Sequence, residues 1–94
     1  MYRPLPAFLT IKNSAIEGLG LFASKQISSG KVLGRTHILT KEETIRTPLG
    51  GFYNHSNNPN CIKFQKDNSY YLKALRDIKQ NEEITVKYTF YNPE

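Results

Sequence analysis

The chain has 94 residues, with 13 Lys/Arg against 8 Asp/Glu and a formal net charge of +5 at pH 7. That length sets the expectation of one domain, residues 1–94, with a small core that buries about 60–65% of the unfolded surface. No run of about 18 apolar residues is present and no apolar h-region follows Met1-Tyr2-Arg3-Pro4, so a membrane span and a secretory leader are not expected and the chain reads as soluble and intracellular.

In chain order, short runs rich in β-branched and aromatic residues alternate with turn signals. Residues 8–11, 21–23, 32–33, 62–64, 70–72 and 84–88 are expected strands. Asn13-Ser14, Ser28-Ser29-Gly30, Pro48-Leu49-Gly50-Gly51, Asn57-Asn58-Pro59-Asn60, Asp67-Asn68-Ser69 and Gln80-Asn81 read as turns. Thr40, followed three residues later by Glu43, is expected to cap one helical turn. No segment sustains a 3.6-residue apolar period, so the class is mostly β, built from short strands. In the last run, alternation puts Ile84, Val86 and Tyr88 on one face and Thr85, Lys87 and Thr89 on the other.

Three constellations could carry chemistry. Gly18 and Gly20 permit positive φ and a close approach of backbone to a ligand, or simply a tight turn into a strand. Phe52-Tyr53-Asn54-His55-Ser56-Asn57-Asn58-Pro59-Asn60-Cys61 crowds polar types that neither an amphipathic helix nor an alternating strand would collect. It is a turn or a binding site, and the residues alone leave both open. The third is Glu82-Glu83 leading into an aromatic C-terminus, where Tyr88 taken alone reads as core. His37, His55 and Cys61 show no metal-ligand spacing, so no metal is expected. A lone cysteine excludes an internal disulfide, and a Cys61–histidine hydrolytic pair has no supporting context.

In this order the three resemble the SET domain of protein-lysine methyltransferases. Gly18-Leu19-Gly20-Leu21-Phe22-Ala23 is similar to the family's Gly-x-Gly-x-Phe-Ala motif. Residues 52–61 are similar to its Phe-x-Asn-His-Ser-x-x-Pro-Asn-Cys motif, and Leu75-Arg76-Asp77-Ile78 with Glu82-Glu83-Ile84-Thr85-Val86-Lys87-Tyr88 to its closing motif. The resemblance spans residues 16–91. It implies a β-clip fold of several small sheets with a knot-like C-terminal crossing, and S-adenosyl-L-methionine as methyl donor. It implies Tyr88 as the catalytic tyrosine and Gly18, Leu19, Gly20, Phe22, Asn54 and His55 as cofactor-binding residues. Tyr53, Phe90 and Tyr91 would line the substrate-lysine channel. The alternative is a non-catalytic cofactor- or protein-binding module on the same fold, because residues 24–50 are short for a substrate platform. Asn57 stands where zinc-binding members carry cysteine, so no zinc post-domain is expected, and Lys63 stands where several members place a channel aromatic.

The implied partner is a protein carrying the target lysine, histone or not. Six Lys/Arg against Glu17 alone in residues 1–41 make that half basic, which suits a cofactor carboxylate and opposes a lysine-rich tail. Glu42, Glu43, Glu82 and Glu83 are the paired acids that a local acidic groove would need. The basic residues form no 5–8-residue cluster, which counts against nucleic acid. So short a chain also suggests a homodimer, in which a second subunit closes the channel.

Overall fold

The computed structural model describes residues 5–87. Strands β1 (Leu9–Asn13) and β2 (Leu19–Ala23) form an antiparallel pair. The other sheet has six strands in the order β4-β3-β7-β6-β8-β5. These are β3 (Val32–Leu39), β4 (Thr44–Arg46), β5 (Asn54–His55), β6 (Cys61–Lys66), β7 (Ser69–Ala74) and β8 (Thr85–Val86). A single 3₁₀ turn, Leu49–Gly51, precedes β5. The mostly-β expectation holds, and no helix among the described residues is long and apolar enough to cross a membrane.

Each expected strand is present, with different bounds. β3 runs eight residues rather than two, because Gly34 and Arg35 continue the strand instead of ending it. Gly34 has φ +149° at a register shift against β7, and a Cβ there would press on Leu49 Cδ1 at 2.9 Å. The expected helical turn at Thr40 is a correction. The Thr40 hydroxyl accepts from Glu42 N at 3.3 Å and Glu43 N at 3.0 Å, as an N-cap would. Yet Thr40 N donates to Glu43 O at 2.8 Å, closing a four-residue β3–β4 hairpin loop. Pairing of Leu39 with Thr44 overrides the local cap signal.

The C-terminal segment is the seam between the two sheets. Ile27 and Ile78 exchange backbone bonds at 2.8 Å. Next, Ala23 N donates to Glu82 O at 2.9 Å and Ile84 N to Leu21 O at 2.7 Å, tying the segment to β2. It then enters the large sheet as β8, parallel to both β5 and β6. Because β8 lies between β5 and β6, the connection 56–60 joining those two must cross over it, which makes the knot-like crossing. Leu21, Ile27, Ile78, Ile84 and Val86 are buried along this seam with Leu33, Leu72 and Cys61. Truncating a fully buried Leu21 or Ile84 to Ala costs about 2–5 kcal/mol.

Candidate functional site

All three constellations meet at one polar cluster. The β1–β2 turn is shaped by Ser14, whose N–H donates to Gly18 O at 2.8 Å and whose Oγ accepts from Ile16 N at 2.9 Å and Glu17 N at 3.3 Å. The same hydroxyl donates to the Glu83 carboxylate, 2.7 Å from Oε2. From the second constellation, Asn54 Nδ2 donates to Glu83 Oε2 at 2.8 Å and reaches Glu17 O at 3.3 Å and Ser14 Oγ at 3.2 Å. Residues 40 and 29 positions apart in sequence are therefore joined through one carboxylate. Gly20 is glycine for a packing reason: a Cβ there would collide with Glu83 Oε2 and lie 3.0 Å from Ser14 Cβ.

Gly18 differs. It holds φ +50°, and a Cβ there would meet nothing within 4 Å. Next in the chain, Leu19 is 51% exposed, and on β5 His55 is exposed. The open Gly18 backbone, next to the Glu17 carbonyl, leaves room for the zwitterionic amino-acid end of the cofactor that the resemblance implies. Phe22 is half-buried on β2, bridges to Glu83 through its backbone, and carries the Lys12 ammonium 4.9 Å from its ring centroid.

Asn60 holds the crossing itself. Its Oδ1 accepts from Thr85 N at 2.9 Å and its Nδ2 donates to Glu83 O at 2.7 Å. Its own N–H donates to Thr85 Oγ1 at 3.2 Å, and its carbonyl accepts from Leu75 N at 2.8 Å. It is 1% exposed. Beside it, Glu82 pairs with Arg76 at 2.7 Å, and the bond to that guanidinium holds its carboxyl below the usual range. Glu82 is held by Arg76 and Glu83 by Ser14 and Asn54, so both carboxylates already have partners. Burial pushes the Cys61 thiol up to about 12, which keeps it neutral and unreactive.

Tyr53 faces a separate corner and is 8% exposed. Lys63 Nζ donates to Tyr53 Oη at 3.2 Å and lies 5.3 Å from the Tyr70 ring centroid and 5.9 Å from that of Tyr53. Burial lowers the pKa of Lys63. His37 meets Tyr70 edge-on at 6.2 Å, and its pKa is lowered first by burial and then by Lys63 and Arg46. The corner is an aromatic surround holding a lysine of the chain itself.

Of the residues expected at the site, Gly20 and Asn54 converge through Glu83, Gly18 belongs to the turn that Ser14 shapes, and Tyr53 packs on the core. Tyr88, Phe90 and Tyr91 lie outside the described residues. Ser14, Glu83 and Asn60 are not among the cofactor, catalytic or channel residues expected from the sequence. Glu83 and Asn60 stand inside the quoted motifs, whereas Ser14 had only a turn signal. Among the described residues no group of three or more His, Cys, Asp and Glu is placed to hold a metal.

Residues 47–89 match the SET domain family model. A stretch of 42 residues is 43% identical to the potential protein lysine methyltransferase SET6 of Saccharomyces cerevisiae, covering 45% of this chain and 11% of that protein. Another of 53 residues is 42% identical to an H3 lysine-4 specific histone-lysine N-methyltransferase of Chaetomium globosum, covering 52% of this chain and 5% of that one. The matches thus span about a tenth or less of these relatives' length. Among solved structures, a Plasmodium falciparum candidate histone methyltransferase superposes with a TM-score of 0.75 at 21% identity, covering 89% of this chain and 95% of its own. The methyltransferase domain of human PR domain-containing protein 2 gives 0.72 at 18% identity, covering 87% and 77%. At such identity these likenesses establish the fold.

Proposed function

We propose that this chain, with the SET-domain fold and a SET-domain sequence match over residues 47–89, transfers a methyl group from S-adenosyl-L-methionine to a protein lysine. The observation that carries the reading is the meeting of Ser14, Gly20, Asn54 and Glu83 beside the open backbone of Gly18. When bound there, the cofactor supplies an electrophilic sulfonium methyl. Gly18, Leu19 and His55 offer it backbone edge and exposed surface, while Gly20, packed against Glu83, joins Phe22 and Asn54 in supporting that shelf. The Glu17 carbonyl next to Gly18 favours its positive charge.

The acceptor amine reacts only when neutral. From a free pKa near 10.4, reaching that form at pH 7 costs about 4.6 kcal/mol, at 1.36 kcal/mol per unit. An aromatic, dry channel lowers this cost by desolvating the ammonium. Tyr53, Phe90 and Tyr91 are assigned to that wall by the resemblance. Tyr88 is assigned to orient the amine. With an ordinary pKa near 10, its hydroxyl is suited to positioning rather than to acting as a base. The remaining work is alignment of reacting atoms about 3–3.5 Å apart. The basic first half, together with the engagement of Glu82 and Glu83, favours a substrate less basic than a histone tail.

Labelled S-adenosyl-L-methionine incubated with a lysate, followed by mass spectrometry of methyl-lysine peptides, tests the reading. Transfer abolished by Tyr88→Phe is expected, and full transfer by that variant overturns the role given to Tyr88. One observation favours a second reading, a non-catalytic module: the Lys63 ammonium already sits against Tyr53 Oη. Cofactor binding without transfer to any protein would support it.

A further inference from the structure

The four strands β4-β3-β7-β6 turn one face inward and leave the other open. Register assigns the open face. Ile62, Phe64 and Lys66 of β6 pair with Lys73, Tyr71 and Ser69 of β7. Those same β7 residues pair on their other side with Val32, Arg35 and Ile38 of β3, and Ile38 pairs with Ile45 of β4. Paired residues share a face, so these ten lie together, with two register shifts in β3 and with Ser69 buried among them. Val32 is 46% exposed, Ile62 43% and Ile45 42%. Arg35, Lys66 and Lys73 are exposed, and no Asp or Glu belongs to the set. At its centre Phe64 and Tyr71 stack across adjacent strands, 5.5 Å between centroids and 21° between planes. Lys73 lies 5.8 Å from the Phe64 centroid, and Arg35 Nη1 reaches Ser69 Oγ at 3.5 Å.

We propose that this outer face binds single-stranded nucleic acid, with phosphates on Arg35, Lys66 and Lys73 and bases against the Phe64–Tyr71 pair. Three cations without an intervening carboxylate suit a polyanion, and a second copy of the same cationic face repels it. The combination of a sheet face, central aromatics and flanking cations matches what sequence-tolerant binding of unpaired bases requires. The cations come from positions 35, 66 and 73, so a search of the sequence for a basic run passes over them. The proposal does not depend on the methyl-transfer reading.

Fluorescence anisotropy with a labelled oligothymidylate, a duplex of equal length and a polyglutamate peptide tests it. Three phosphate contacts give a salt slope of about −2, so a roughly fourfold rise in salt weakens oligothymidylate binding about 20-fold. The triple variant R35S/K66S/K73S, folded by circular dichroism, is expected to lose at least about tenfold in affinity and to flatten that slope. Phe64→Leu keeps the phosphate contacts and is expected to remove the preference for single strand over duplex. Equal affinity for duplex and single strand in the unaltered chain overturns the proposal, as does oligothymidylate binding untouched by the triple variant. Binding of polyglutamate without oligothymidylate overturns it too, and reassigns the face to an acidic protein.

Discussion

The crossing and the outer sheet face use their polar side chains in opposite ways. At the crossing, Asn60, Asn54, Ser14 and Glu83 point at one another and at backbone, and every bond fixes one segment against another. On the outer face, Arg35, Lys66 and Lys73 remain exposed around an aromatic pair. The difference teaches where stability ends and recognition begins. Polar groups sunk into a seam hold a shape that something else can use, while polar groups left outside are themselves available to a partner. Within the crossing the same contrast recurs on a small scale, since Asn60 is sealed and Asn54 borders the open backbone at Gly18.

The largest expected effect is at Asn60. Asn60→Leu strands the Thr85 N–H and the Glu83 carbonyl in a buried site, at about 1–3 kcal/mol each, or about 2–6 kcal/mol together by urea unfolding. Asn54→Leu is expected to cost less stability and to abolish cofactor binding. If Asn54→Leu proves the more destabilising, the division between sealed and ligand-facing asparagine is broken. Gly20→Ala must displace the Glu83 carboxylate and is expected to cost about 1–3 kcal/mol. Gly18→Ala meets no neighbour and carries only the left-handed backbone penalty, about 1–2 kcal/mol.

A pH titration of stability sharpens the picture. His37 has its pKa lowered from its ordinary 6.5, chiefly by burial, so the unfolded chain binds the extra proton first. Stability is therefore full above pH 6.5 and falls as pH drops below it, and His37→Gln removes that slope. Glu82, lowered from 4.5 mainly by its bond to Arg76, contributes stability above that pH and loses it as pH falls through the folded value. Arg76→Gln should flatten this second limb. The smallest effect is expected on the outer face, where Lys73→Ser changes stability by no more than about 0.5 kcal/mol. A loss comparable to that at Asn60 would mean that the face is packed rather than open.

Much of the fold could be read from the sequence because period-2 runs and turn residues are local signals. Over the described residues the alternation that put Ile84 and Val86 on one face and Thr85 and Lys87 on the other is borne out, the first two being buried and the others not. Long-range pairing was not legible. The Thr40 cap looked helical because its hydroxyl does satisfy two following N–H groups, and only the pairing of Leu39 with Thr44 makes it a hairpin. Ser14 carried a turn signal and nothing that pointed to Glu83, 69 positions away. Asn60 sat in the motif, but its neighbours Thr85 and Glu83 come from the C-terminal segment that crosses there. The cationic face is a product of register alone, for its three charges are scattered along the chain.

Isothermal titration calorimetry with S-adenosyl-L-methionine, run on the unaltered chain and on Asn54→Leu, tests the central claim that the Ser14–Gly20–Asn54–Glu83 cluster builds a cofactor shelf. Saturable binding by the unaltered chain, lost in a folded Asn54→Leu, is the predicted result. No heat from the unaltered chain at high micromolar cofactor, or unchanged affinity in Asn54→Leu, would contradict it.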